Sequence, residues 1–358
     1  MSPRADLRAL ASSAAYAWRL MTGAAAPLTR GDRRQRDALR LLWFLLLGAL
    51  GAVALHLAIH TGLRRVTTAD FGVTNQVVAG RLDAEIVISG SSRALTHYDS
   101  TLIQKTTGRK TFNLGLNGTQ TDVQVAYLKT YLRKNAKPAL VIHNLDPSAF
   151  AVSHEIFDPV KLMPYLDEPE IYAVVLRVYP HAWKWRYFPL YGYAVEDLRF
   201  TWLAGARTFL GSQPPESRVL GYQARHTPWT GDFDKFKASH PEGVKLDLNP
   251  QGVKDLAEIT EVCRRHGVPL LFVYSPEYDG MQALSSNRAE LFARFAEISA
   301  KAGVEIWDYS SSFICSQRDL FYNSQHLNVT GATMFSQDLA RRLAQSRWLS
   351  GGATKQSP

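Results

Sequence analysis

Three short segments, far apart in the chain, carry residue types suited to nucleophilic acyl chemistry. The first is Ile86-Val87-Ile88-Ser89-Gly90-Ser91-Ser92-Arg93. A buried β-branched run ending in a glycine-containing turn exposes a serine at a sheet edge, where turn and helix-terminal N–H groups point at the same place. Gly-Ser-Ser is also ordinary turn composition. The second is Phe112-Asn113-Leu114-Gly115-Leu116-Asn117-Gly118-Thr119. Its glycines permit close backbone approach, so it is either a source of an oxyanion donor or a plain turn. The third, Leu320 to Ala332, places His326 in a loop between the last strand and the last helix. A lone His is more often structural, yet an early Ser and a late His are the chain order of one Ser–His hydrolase design.

The elements around these segments alternate. Short apolar runs at Ala84–Ile88, Lys110–Gly115, Pro138–Leu145, Val268–Tyr274 and Val304–Asp308 read as strands. Helical spacing of apolar residues predicts helices over Asp122–Asn135, Pro250–His266, Asn287–Ala302 and Thr330–Arg347. Strands alternating with amphipathic helices imply βαβ units and a mainly parallel sheet covered on both faces, with function gathered at the carboxyl ends of the strands. Residues of about 150–245 interrupt the alternation and are rich in aromatics, among them Tyr179, Trp183, Trp185, Tyr187, Phe188, Tyr191, Tyr193, Phe200 and Trp202. This insertion suits packing over the sheet, rest at a membrane interface, or stacking on a sugar polymer.

Net charge is +9, concentrated at the start of the chain. Residues 1–40 hold Arg4, Arg8, Arg19, Arg30, Arg33, Arg34, Arg36 and Arg40 against Asp6, Asp32 and Asp37. From Leu41 to Leu63 no residue is charged, and this run of about 23 residues is long enough to cross a bilayer as a helix. It is too long, and begins too late, for a signal-peptide core. The Arg excess before it predicts a cytoplasmic N-terminus at the inner membrane and an extracytoplasmic, periplasmic domain beyond. The expected organisation is a cytoplasmic tail (1–40), an anchor (41–63), a linker (64–81), an α/β domain (82–349) and a flexible tail (350–358). No pattern suggests nucleic-acid recognition. Cys263 and Cys315 lack the spacing of a metal or redox motif, and a disulfide between them or two buried thiols both fit. No metal or nucleotide motif is present, so no cofactor is expected.

Together the three segments resemble the SGNH (GDSL-type) hydrolase and acyltransferase superfamily over roughly residues 82–148 and 250–345. Gly90-Ser91-Ser92 stands where that family has its Gly-Asp-Ser block. The resemblance therefore implies Ser92 as nucleophile, with Ser92 and Gly118 as backbone oxyanion donors and His326 as general base. It also implies a flavodoxin-like three-layer fold. The Gly-Ser-Ser-Arg and His-Leu-Asn-x-x-Gly-Ala forms, with the anchor, are similar to membrane-anchored bacterial SGNH-like proteins of cell-envelope polysaccharide O-acetylation. For this chain the resemblance implies a polysaccharide or acyl-ester substrate and a membrane-bound O-acyltransferase as partner. Two positions depart from the family pattern. His143-Asn144-Leu145-Asp146 replaces Gly-x-Asn-Asp, with Asn144 as the matching oxyanion residue, and Asn323 stands in place of the Asp three residues before the His. A catalytically degenerate binding or scaffold subunit, and a plain esterase or lipase, are the competing expectations.

Overall fold

The computed structural model describes residues 30–350. Of the expected tails, residues 1–29 and 351–358 lie outside these residues, and 30–40 belong to a helix. The chain divides into two compact units, one ending at Ala58 and the other beginning at Ile59.

The first unit holds most of one helix, Arg30–Arg65. Its Arg33–Arg65 stretch is long and apolar enough to cross a membrane: the best 18-residue window has mean hydropathy 2.2, and only 6% of it is buried. The core helix of a soluble protein would be mostly covered; here Leu42, Phe44 and Leu47 stand exposed at 61%, 73% and 63%.

The second unit is an α/β sandwich. Its five strands are β1 (Ile86–Ser89), β2 (Thr111–Asn113), β3 (Leu140–Asn144), β4 (Leu270–Tyr274) and β5 (Glu305–Asp308). All pair in parallel, in the order β2-β1-β3-β4-β5. Because strand side chains alternate between faces, each strand feeds two cores. Val87, Val141 and Phe272 point to one side, under the helices Thr121–Lys134, Pro250–Arg265 and Arg288–Ala302. Ile86, Ile88, Ile142 and Val273 point to the other, against Phe335, Leu339 and Leu343 of the helix Val329–Gln345. This is the expected parallel sheet flanked by helices. The strands are shorter than the apolar runs that announced them, because residues such as Ala84, Glu85 and Val268 lie outside the paired ladder.

Three features differ from the sequence reading. The segment 64–81, expected as a linker, carries the helix Ala69–Val78, whose Val73 and Val77 join the core. The last helix stops at Gln345 and a separate turn, Arg347–Ser350, follows. His326 lies on a small antiparallel hairpin, β6 (Phe321–Asn323) with β7 (His326–Leu327), not in an open loop. Two-residue strands give no period for a sequence reading to detect.

The insertion folds into short helices around a third core built on Tyr165, Ile171, Val175, Trp185 and Tyr193. Tyr179, Trp185, Tyr191, Tyr193 and Trp202 are therefore packing, while Tyr187, Phe188 and Phe200 remain 65%, 53% and 62% exposed. Cys263 and Cys315 are separate buried thiols, and burial pushes the Cys263 thiol up to about 12.

Candidate active site

The strand order reverses direction between β1 and β3, the point at which sheets of this order place their ligands, outside the strands' carboxyl ends. There the chain leaves β1 through Gly90, at φ 147°, a conformation that L side chains rarely adopt. A Cβ on Gly90 would lie 2.8 Å from the Ala94 Cβ and 3.1 Å from the Asn144 Cβ. Ser91 caps the helix Ser92–His97, its Oγ accepting from the Arg93 N–H at 3.2 Å. Ser92 thus occupies the first helical position, where its own N–H has no intrahelical acceptor.

The Ser92 hydroxyl lies 2.7 Å from Nε2 of His326. On the other side of the ring, Nδ1 lies 2.9 Å from Oδ1 of Asn323. That oxygen also accepts the backbone N–H groups of Gln325 (3.1 Å) and His326 (3.0 Å). Two backbone donors demand an acceptor, so the amide cannot flip its nitrogen toward the ring without orphaning both. The ring proton therefore sits on Nδ1 and leaves the Nε2 lone pair facing Ser92. The hairpin turn thus fixes the tautomer that a base requires, without a carboxylate. The Nδ1 partner is this amide and not a carboxylate, and the Asp308 carboxylate is engaged elsewhere, accepting the Ser310 N–H at 2.8 Å.

Burial, reinforced by the Arg93 and Arg225 guanidinium groups, pulls the His326 imidazole down to about 3. It is neutral at ordinary pH, with its Nε2 lone pair open to the Ser92 hydroxyl, and burial makes it a weak base. The imidazolium it forms keeps the hydrogen bond to the Asn323 oxygen but gains no negative charge from this uncharged amide.

Four residues that the sequence reading did not single out hold this arrangement. Arg93, 2% exposed, donates to the main-chain oxygens of Leu145 (3.5 Å), Ser275 and Pro276 (3.2 Å). It straps the loops after β3 and β4 to the nucleophile turn, with its guanidinium over the Tyr274 ring at 4.7 Å. His97 Nε2 accepts the Leu327 N–H at 3.0 Å, which leaves its Nδ1–H for the Ser275 Oγ at 2.9 Å. This fastens the hairpin from beneath. The Tyr322 ring stacks on His326 at 5.3 Å and 17°, and the Arg225 guanidinium lies over Tyr322 at 5.8 Å. Arg93 had a signal, its place directly after Ser92. Tyr322 lies in the same short segment as His326, and His97 and Arg225 become neighbours only through the fold.

A cleft of about 350 Å³ opens over the pair. Its walls include Ser92, Gly118, Asp146, Lys245, Gln325 and His326. Gly118, at φ +69°, lies under the Phe157 ring. Asn144 does not reach this cleft: its Oδ1 accepts from the Tyr98 hydroxyl at 2.7 Å, and its Nδ2 donates to the Asp146 carboxylate at 2.9 Å. Two larger concavities, one beside Asp122 and Arg177 and one beside Phe313 and Arg341, lie away from the serine and histidine. No group of side chains among the described residues could hold a metal ion.

Two further buried histidines set an acid limit on the fold. Burial holds the imidazole of His97 well below its usual value and that of His143 at about 3. Below pH 6.5 the unfolded chain therefore binds protons that the folded chain refuses, and stability falls as pH falls. Each histidine contributes a slope of about 1.4 kcal/mol per pH unit. The urea midpoint of the full chain is expected to drop markedly between pH 7 and pH 5, and less in His143→Gln. A midpoint unchanged over that range would refute the assignment.

No family model matches the chain, and no curated protein matches it. Among solved structures, an inhibitor-bound aryl esterase of M. smegmatis is similar at 12% identity and a TM-score of 0.33, covering 72% of this chain and 97% of that one.

Proposed function

We propose that the protein is a serine esterase or acyltransferase, anchored in the inner membrane by Leu41–Leu63 and acting outside the cytoplasm on acyl esters of an envelope or secreted polysaccharide. The observation that carries the reading is the 2.7 Å contact between Ser92 Oγ and an imidazole whose tautomer the Asn323 amide fixes. Ser92 Oγ attacks the acyl carbonyl while its proton passes to Nε2 of His326. The negative charge that forms on the carbonyl oxygen meets the N–H groups of Ser92 and Gly118. His326 then protonates the departing alcohol, leaving an acyl-Ser. Water or a sugar hydroxyl resolves it by the reverse sequence. The polar side chains of Thr119, Gln120, Ser148, Lys245, Asp247 and Gln325 around the cleft suit a hydroxyl-rich acceptor. A membrane-bound O-acyltransferase is the partner that this reading assigns as acyl source.

A serine-directed fluorophosphonate probe tests the reading on the full chain. Labelling mapped to Ser92 supports it, and clean failure to label favours a non-catalytic binding subunit, the reading that the missing carboxylate at Asn323 supports. Topology is tested separately. A reporter active only outside the cytoplasm should work when fused after residue 358 and fail when fused within residues 1–35. Cytoplasmic activity of the C-terminal fusion would overturn the localisation.

Gly118→Ala probes the oxyanion site. A left-handed φ costs an L residue about 1–2 kcal/mol, and the new Cβ would lie 2.6 Å from the Cβ and Cγ of Phe157. Ester turnover is expected to fall at least roughly tenfold, through kcat more than KM, because a displaced donor is felt in the transition state. An unchanged kcat in a folded variant would remove Gly118 from the mechanism.

A further inference from the structure

We propose that the helix Thr201–Phe209 and its flanks form a membrane-seating face, which rests in the headgroup region of the bilayer that the long N-terminal helix enters. The proposal rests on the anchored reading above and adds a second, lateral contact with lipid.

Within the second unit, the final turns of the Arg30–Arg65 helix pack on this segment. Gly205 is so close to them that a Cβ there would lie 2.6 Å from the Ile59 main-chain oxygen and 2.9 Å from the Leu63 Cγ. Gly62 returns the contact against the Gly205 carbonyl. The Arg65 guanidinium lies 5.6 Å from the Phe209 ring centre, and Gln213 donates to the Arg65 carbonyl at 3.1 Å. Ile59 and Leu63 are therefore covered by protein, at 2% and 0% exposure. The uncharged run Leu41–Leu63 therefore ends inside the second unit, with Arg64 and Arg65 directly after it. The hydrocarbon boundary must then fall close to the level of Ile59–Leu63, where Thr201–Phe209 packs.

Most of the exposed side chains on that segment are apolar. Leu198 is 89% exposed, Phe200 62%, Leu203 38%, Phe209 43% and Leu210 84%. Five large apolar residues within thirteen positions are more than scattered exposure, and such a patch marks an interaction surface. Exposed Arg65, Arg199 and Arg207 accompany it. Apolar and aromatic side chains interleaved with Arg match the chemistry of an anionic bilayer interface, in which the rings enter the acyl boundary and the cations meet lipid phosphates.

The test uses the full chain, one copy per nanodisc of phosphatidylethanolamine and phosphatidylglycerol. Leu198→Cys and Leu210→Cys are labelled with an environment-sensitive fluorophore, and Lys301→Cys, on the helix Arg288–Ala302, serves as reference. Native Cys263 and Cys315 are buried and do not compete. Quenching by aqueous iodide is expected to be at least about fivefold weaker at 198 and 210 than at 301, and nitroxide lipids should quench only the first two. Equal iodide quenching at all three sites, in chains that co-elute with the nanodisc, would overturn the seating face and leave the anchor intact. Chains that fail to co-elute would overturn both. Shielding seen in native membranes but absent in single-copy nanodiscs would assign the face to a membrane protein and also overturn the proposal.

Discussion

Ser92→Ala is expected to abolish hydrolysis of a small activated acetyl ester, lowering kcat by at least about 10³ with the fold intact. In a well-measured triad, loss of the nucleophile costs about 2 × 10⁶. The expected loss is smaller here because a site without a carboxylate starts from a lower rate. His326→Ala should match it, since the two groups act as one unit and their losses do not add. Ser91→Ala is the discriminating control. Ser91 caps the helix and faces the Arg93 N–H, so its removal costs a capping bond worth about 1 kcal/mol of stability and little turnover. Circular dichroism and probe labelling on the same preparations separate folding from chemistry. A dead Ser91→Ala with an active Ser92→Ala would reverse the assignment of the turn, and full activity in both would remove the serine mechanism.

Asn323→Asp is expected to raise turnover at least roughly tenfold, which is about 1.4 kcal/mol of barrier. In the serine-protease template the reverse change costs about 10⁴, because the amide gives the wrong tautomer and no charge. Here the two backbone donors to Oδ1 already secure the tautomer, so the gain is confined to charge. Arg93 and Arg225, the same groups that depress His326, favour an ionised Asp at this position. The carboxylate should raise the imidazole from about 3 toward the neutral range. Its protonated form is inactive as a base, so the variant should lose rate as pH falls through the new value. The native chain should show no such limb over the pH range in which it stays folded. Rate and profile together are the readout. An unchanged or lower rate in a folded, Ser92-dependent variant would show that the missing charge is not what limits this site.

The sheet was legible because β-branched runs such as Ile86-Val87-Ile88 and Val141-Ile142, followed by turn residues, report buried parallel strands directly. Ser92 and His326 were singled out for a different reason, their match to the blocks of the family that the chain resembles, while the hairpin that carries His326 left no local pattern. Asn144 illustrates the limit. Its residue type and position suit an oxyanion donor, but the Tyr98 hydroxyl, 46 residues away, claims its oxygen, and Asp146 claims its nitrogen. Which way a buried amide turns depends on partners that no local pattern reports. His97 fails for the same reason: Ser275 and Leu327, the two residues it joins, are 178 and 230 positions away.

The long separation of Ser92 and His326, 234 residues, also has a meaning in time. At synthesis rates of about 5–20 residues per second, the base follows the nucleophile by roughly 10–50 s. Neither of the supports of His326 on the hairpin side, Asn323 and Leu327, exists earlier. The central pairing of β3 with β4 must likewise wait for the whole insertion between them to pass. The Ser92–His326 contact therefore cannot form until nearly the last helix has emerged. On the proposed mechanism a product truncated before residue 321 would lack both His326 and Asn323, so incomplete chains could not attack esters before assembly is finished.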